Sequence, residues 1–220
     1  MPASPTRLAD LPRAFPIFPL PGALLLPHGR LPLNIFEPRY LAMVEDALGA
    51  GRLFGMIQPD DARSAGEGGP ALHRVGCLGR LAAFSETGDG RYLITLHGLI
   101  RYSVAEELPM RRGYRRVRAE YDGFEGDLEP GGSLAPGVRT ALLDALRAYF
   151  DARAVQADWE AIGKMLDHVL VITLSMVCPF DAIEKQALLE AGPAERAGAL
   201  LTLLRIGSHD AEQSTGSRAS

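Results

Sequence analysis

A single change of hydrophobic period constrains this chain more than any other feature. From about residue 13 to 122 the apolar residues alternate, or come in short runs broken by Gly, Pro and Asp-Gly, as in short strands. From about residue 135 onward they recur at spacings of three and four, as in amphipathic helices. Strands first and helices after predict an α+β class in which the two kinds of element are segregated. The stretch 123–137 (GFEGDLEPGGSLAPG) between them is acidic and rich in Gly and Pro, the composition of a linker. The expected organisation is therefore a β part over 10–125, a helical part over 135–207 and a disordered tail over 208–220.

Within the β part, strands are expected at 15–20, 33–36, 53–58, 75–84, 91–97, 99–106 and 114–121, with Gly98 separating two of them. Glu86-Thr87-Gly88-Asp89-Gly90 reads as a hairpin loop and 60–71 as a longer loop. One helix interrupts the strands at 38–49. Pro38 suits its first position after Glu37, Leu41, Val44, Ala47 and Leu48 form its apolar stripe, and Gly49 or Gly51 ends it. In the helical part Val138, Leu142, Leu146, Tyr149 and Phe150 form one stripe. Trp159, Ile162, Leu166, Val169, Leu170 and Thr173 form a second, read as one helix. Asp181 with Glu184 has the form of a capping box opening a helix that Gly192 closes, and Pro193 opens the last one.

Composition narrows the function classes. With 220 residues and 47% hydrophobic side chains the chain can bury a sizeable core, and a net charge of −4 offers no general attraction to nucleic acid or anionic lipid. The prolines at 12, 16, 19, 21 and 27 forbid a helical signal sequence in the apolar opening. The apolar run 169–180 falls short of the ~20 residues a bilayer span needs, so a cytoplasmic protein is expected. Cys77 and Cys178 are expected as free buried thiols. Only Lys164 and Lys185 are lysines, and neither sits in a phosphate-binding loop; no Gly-x-Ser-x-Gly elbow is present. His73, Cys77 and His97 are the one set that invites a metal. Strand spacing puts His73 and Cys77 about 13 Å apart, so neither metal nor cofactor is expected.

Two groups remain as binding candidates. Phe36 and Tyr40 lie in the aromatic and charged segment around the first strand-to-helix junction, where packing is their default role and a peptide-contacting surface the alternative. Arg112, Tyr114, Arg116 and Arg118 fall on one face if 112–118 is a strand, a composition that suits an anion or RNA. Glu106, Glu107, Glu120, Asp122, Glu125, Asp127 and Glu129 lie close enough in sequence to neutralise them.

Phe15-Pro16-Ile17-Phe18-Pro19-Leu20, then Leu31-Pro32-Leu33-Asn34-Ile35-Phe36-Glu37-Pro38-Arg39-Tyr40, closely resembles the opening of the Lon protease N-terminal substrate-binding domain. Gly76-Cys77-Leu78-Gly79-Arg80-Leu81, Leu96-His97-Gly98-Leu99-Ile100-Arg101-Tyr102 and Glu184-Lys185-Gln186-Ala187-Leu188-Leu189-Glu190-Ala191 extend the resemblance, in order, over about 13–205. It implies a PUA-like, mostly antiparallel β-barrel followed by a C-terminal helical bundle. It also implies recognition of unfolded or degron-bearing polypeptides within a larger protease; for this chain the expectation is a stand-alone module, an adaptor to a separate protease or chaperone or a homodimer. No Ser-Lys peptidase motif and no room for an ATPase module are seen, so the expectation is recognition without catalysis. An RNA-binding PUA-like module using the Arg111 to Arg118 strand is the alternative.

Overall fold

A computed structural model of the chain describes residues 7–66, 68–129 and 131–216. Six strands, β1 (Ala14–Pro19), β2 (Arg30–Ile35), β3 (Leu53–Ile57), β4 (Val75–Glu86), β5 (Tyr92–Arg111) and β6 (Tyr114–Glu120), form one sheet. Every pairing is antiparallel except β1 with β3. The pairings run β5 to β4 to β3 to β1 to β6, and β6 pairs with β5 again, so the circuit closes; β2 lies outside it, paired only with the first part of β5. Helix α1 (Pro38–Gly49) follows β2 with Pro38 at its first turn, as the sequence predicts.

The strands feed two buried clusters. Phe15, Ile17, Leu78, Ile100, Tyr102 and Val117 belong to the smaller one. Phe18, Phe54, Met56, Cys77, Leu81 and Leu96 join the larger one, which takes in Met43 and Val44 of α1 and the apolar faces of the C-terminal helices. Strand β4 is thus buried on both faces at Cys77 and Leu78, so its sequence is a continuous apolar run where it would otherwise alternate.

Strand β5 corrects the sequence reading. The two strands expected on either side of Gly98 are one strand of 20 residues. Gly98 accepts from the His28 N–H and donates to Gly29 O, and a Cβ there would sit 2.0 Å from Leu26 O. The glycine marks the point where the 24–29 segment crosses against the strand, a close approach and not a break.

Helices α2 (Val138–Asp151), α3 (Trp159–Lys164), α4 (Asp167–Val177), α5 (Ala182–Glu190) and α6 (Arg196–Gly216) complete the chain. The single helix expected from Trp159 to Thr173 is interrupted at Met165 and Leu166, both extended. Arg139 of α2 accounts for the break. Its guanidinium donates to Gly163 O, near the end of α3, at 2.8 Å and pairs with the Asp167 carboxylate that opens α4. One cation so serves a helix C-terminus and an acidic helix start, which a continuous helix could not offer it. The capping box on α5 is present: Asp181 accepts from Glu184 N at 2.7 Å and Glu184 accepts from Asp181 N at 2.8 Å. Helix α6 continues past 207, where the tail was expected to begin, to Gly216; residues 217–220 of that tail lie outside the described residues. No described helix is long and apolar enough to cross a membrane.

The strands and the helices meet at Arg101 of β5. Its guanidinium forks onto Asp127, in the turn after β6, with Nε and Nη2 at 2.8 and 2.9 Å. Its third nitrogen, Nη1, donates to Leu189 O, Glu190 O and Ala191 O at the end of α5. Both side chains are buried, 5% and 1% exposed. Replacing Asp127 with Ala strands a buried guanidinium and is expected to cost about 3 to 5 kcal/mol in urea unfolding. An Arg101→Met/Asp127→Leu double variant is expected to cost less than that single change.

Candidate functional site

The end of β1, the start of α1, the β5–β6 turn and the 58–70 loop enclose a cleft of about 380 Å³. Tyr40 and Tyr114 both line it, so the structure brings one member of each candidate group together. The Tyr40 ring lies 4.1 Å from that of Phe18, has the Arg39 guanidinium carbon 4.5 Å from its centroid, and is largely buried. Pro19, Pro21, Pro59 and Pro70 form much of the wall, and Met110 is 55% exposed at the rim. Phe36 is not part of this cleft. It stands 62% exposed before α1, with the Arg91 guanidinium 5.9 Å from its ring.

The arginine group differs from the expected single face. Arg112 and Gly113 form a two-residue turn with φ of 48° and 85°, so Arg112 is not in the strand at all. It bonds Glu45 and Asp46 of α1 at 2.7 and 2.9 Å. Tyr114 is buried and its hydroxyl donates to Asp46 at 2.6 Å. Arg118 pairs with Glu106, one of the expected neighbours, and Arg115 with Glu107. Arg116 is half-buried on β6. Sequence proximity therefore identified the partners across the hairpin but not those on α1, which folding alone brings near.

Most of the cleft's charged groups are already engaged: Arg39 pairs with Glu37 at 2.8 Å, and Asp61 alone stands exposed without a partner among the described residues. Arg115 forks onto Glu107 and gives its remaining nitrogen to Pro70 O at 2.7 Å. Burial and the bond to Asp46 push the Tyr114 hydroxyl up to about 12, and burial raises Tyr40, so neither exchanges protons near neutrality. Burial also pushes the Cys178 thiol up to about 12 and Cys77 higher still. Among the described residues no three His, Cys, Asp or Glu side chains gather as metal ligands would.

A second, larger cleft of about 730 Å³ lies between the 126–135 segment, α4 and the start of α6. Its walls include Val138, Val171, Ile172 and Leu201, and its polar groups include His28 and Arg196. His28 Nε2 lies 2.8 Å from Asp127 O and 3.1 Å from Glu129 O. Arg196 is buried and donates to Leu188 O and Ala191 O, both at 2.9 Å; burial lowers its pKa to about 10, which leaves it charged. Four separate segments make this cleft, so no local pattern in the sequence could have announced it.

Residues 14–205 match the family described as the ATP-dependent protease La (LON) substrate-binding domain. Lon protease 2 of Sorangium cellulosum is 32% identical over 151 residues, 66% of this chain and 18% of that protein. Lon protease 2 of Myxococcus xanthus is 27% identical over 126 residues, 54% of this chain and 15% of that protein. The chain thus spans less than a fifth of the length of these relatives. Among solved structures, the Lon N-terminal domain protein from Xanthomonas campestris superposes with a TM-score of 0.60 at 23% identity, covering 86% of this chain and 97% of that one. The N-terminal domain of Mycobacterium avium complex Lon protease gives 0.60 at 13% identity, covering 90% and 98%.

The bond from Tyr114, reinforced by Arg112 against some burial, holds the Asp46 carboxyl below its usual range. A lowered folded-state pKa stabilises above the unfolded value, about 3.9, and that contribution is lost as pH falls through the lowered one. Tyr114→Phe is expected to cost about 1 to 2 kcal/mol near neutrality. The deficit should shrink as urea unfolding is repeated below about pH 4.

Proposed function

This chain belongs to the ATP-dependent protease La (LON) substrate-binding domain family, and from that premise we propose that it is a non-catalytic module that recognises polypeptide segments. The observation that carries the reading is the cleft at Tyr40 and Met110. Its walls are largely proline and aromatic surface, and of its charged side chains Glu37, Arg39 and Arg115 are paired from within while Asp61 is exposed, so apolar area is most of what it offers a ligand. An unfolded segment would place an apolar side chain against Met110 and the Tyr40 edge. Phe36, outside the cleft, supplies a second contact. The free edge of β2 contributes less, because Pro32 interrupts its row of donors. We assign the closed strand circuit to the PUA-like barrels and place the protein in the cytoplasm, as an adaptor delivering unfolded or degron-bearing chains to a separate protease or chaperone.

The alternative, an RNA surface on Arg112, Tyr114, Arg116 and Arg118, has little to offer. Two of its three cations are paired, which leaves only the half-buried Arg116, and its one aromatic ring is buried, so bases find a single free charge and no stacking platform there.

Binding to a reduced and alkylated, permanently unfolded protein, followed by fluorescence anisotropy, tests the reading. Affinity in the micromolar range that changes little between low and high salt is expected. A Phe36→Asp/Met110→Asp variant with an unchanged melting curve should bind about tenfold more weakly, the equivalent of ~1.4 kcal/mol of lost apolar contact. Binding that falls steeply with salt would refute it.

A further inference from the structure

We propose that the outer face of the β2–β5–β4 sheet binds acidic stretches of a polypeptide through Arg30, His97 and Arg80. The proposal rests on the polypeptide-recognition reading and adds a second site with a charge preference.

These three residues stand in one row. Arg30 of β2 is opposite His97 of β5, which is opposite Arg80 of β4. Residues opposite one another share a face, and two strand spacings of about 4.8 Å set the arginine backbones ~10 Å apart. The neighbouring row Leu31, Leu96 and Leu81 points the other way, into the larger core, so the cations project outward. Arg30 is exposed and Arg80 and His97 are half-buried.

Arg30 and Arg80 lie on either side of His97, two strands apart, so they add to one positive potential on this face, and opposite charges across strands are the arrangement that would offset it. This chain supplies them freely elsewhere: Arg39, Arg91, Arg111, Arg112, Arg115, Arg118, Arg139 and Arg147 each hold a carboxylate. Among the described residues Arg30 and Arg80 hold none, and neither side chain has a hydrogen bond. Burial first, then His28, Arg30 and Arg80, hold His97 below its ordinary pKa, and no carboxylate is among the groups acting on it. At neutral pH it is an uncharged hydrogen-bonding ring between two unanswered guanidinium groups, an arrangement that an incoming carboxylate completes.

The rest of the face selects among anions. The rows beyond the cations are Pro32, Thr95 and Ala83, then Asn34, Leu93 and Ser85. They contain no aromatic ring on which a base could stack, but Leu93 is 48% exposed. Carboxylates at one end and an apolar residue some four positions along an extended chain match this pattern, and a nucleic acid does not.

The test uses three fluorescein-labelled probes: a 12-residue peptide of alternating Glu and Leu, its Glu-to-Gln counterpart, and a 12-nucleotide oligouridine, each read by anisotropy at low and moderate salt. The intact chain is expected to prefer the Glu peptide over the Gln peptide by about fivefold or more. Arg30→Ser/Arg80→Ser should abolish the preference, while Arg205→Ser, a change of an exposed arginine on α6, should leave it intact. The melting temperature of the double variant should be unchanged or raised, and a fall would count against the proposal, since it would make the row structural. Equal binding of the two peptides, or a preference that survives in the double variant, would overturn the site while leaving polypeptide recognition standing. Tighter binding of the oligouridine, lost in the double variant, would overturn it in favour of nucleic acid. Failure of both peptides to bind would sink this site and the broader function together.

Discussion

The buried contact between Arg101 and Asp127 is the constraint on which the rest of the structure depends. A guanidinium cannot be left unpaired inside a protein, and Arg101 has five N–H donors to satisfy. Asp127 answers one side of the fork and the last carbonyls of α5 answer the other. The Phe124 ring, 4.7 Å from the guanidinium carbon, covers a face of it. Strand, linker turn and helix end are therefore fixed to one charge. The carbonyls at the end of α5 lack intrahelical partners and carry partial negative charge, so Arg101 and Arg196 complete that helix as much as it completes them. Gln58 repeats the arrangement in neutral form, donating to Ala182 O at the other end of α5 while accepting from Gly22 N.

Much of the architecture was legible in the sequence because local rules decide it. The period change located the strands and helices; Pro38 started α1, and Asp181 with Glu184 capped α5. Misreadings arose where a distant group overrode the local pattern. Gly98 looked like a boundary because the crossing of the 24–29 segment is invisible from the strand itself. The Trp159 to Thr173 stripe looked continuous because Arg139, which rewards the break, lies on another helix. The closing of the strand circuit leaves no mark in the local pattern, since it depends on β6 pairing with both β1 and β5; only the family resemblance implies a barrel.

The candidate site was legible in its residue types and not in its geometry. Tyr40 was singled out together with Phe36, yet one lines a cleft and the other stands apart from it. Arg112 was grouped with a strand it does not belong to, because the positive backbone angle at its turn leaves no mark in an alternation pattern. Arg30, His97 and Arg80 carry no signal as a group in the sequence, since they lie on three strands and only the register aligns them. Two lone arginines and a histidine in three different segments are ordinary; their coincidence in one row is not.

The long reach of Arg101 also bears on the order in which the chain can become structured. Its partner Asp127 is 26 residues away, but the carbonyls that receive its third nitrogen lie 88 to 90 residues from Arg101 along the chain. Synthesis delivers the strands well before α5, so a nascent β part can close its circuit and still hold a cation half-answered. The final locking of the sheet waits until residue 191 has left the ribosome. A chain interrupted before that point lacks the carbonyls that Nη1 binds, and one side of a buried guanidinium is left without a partner.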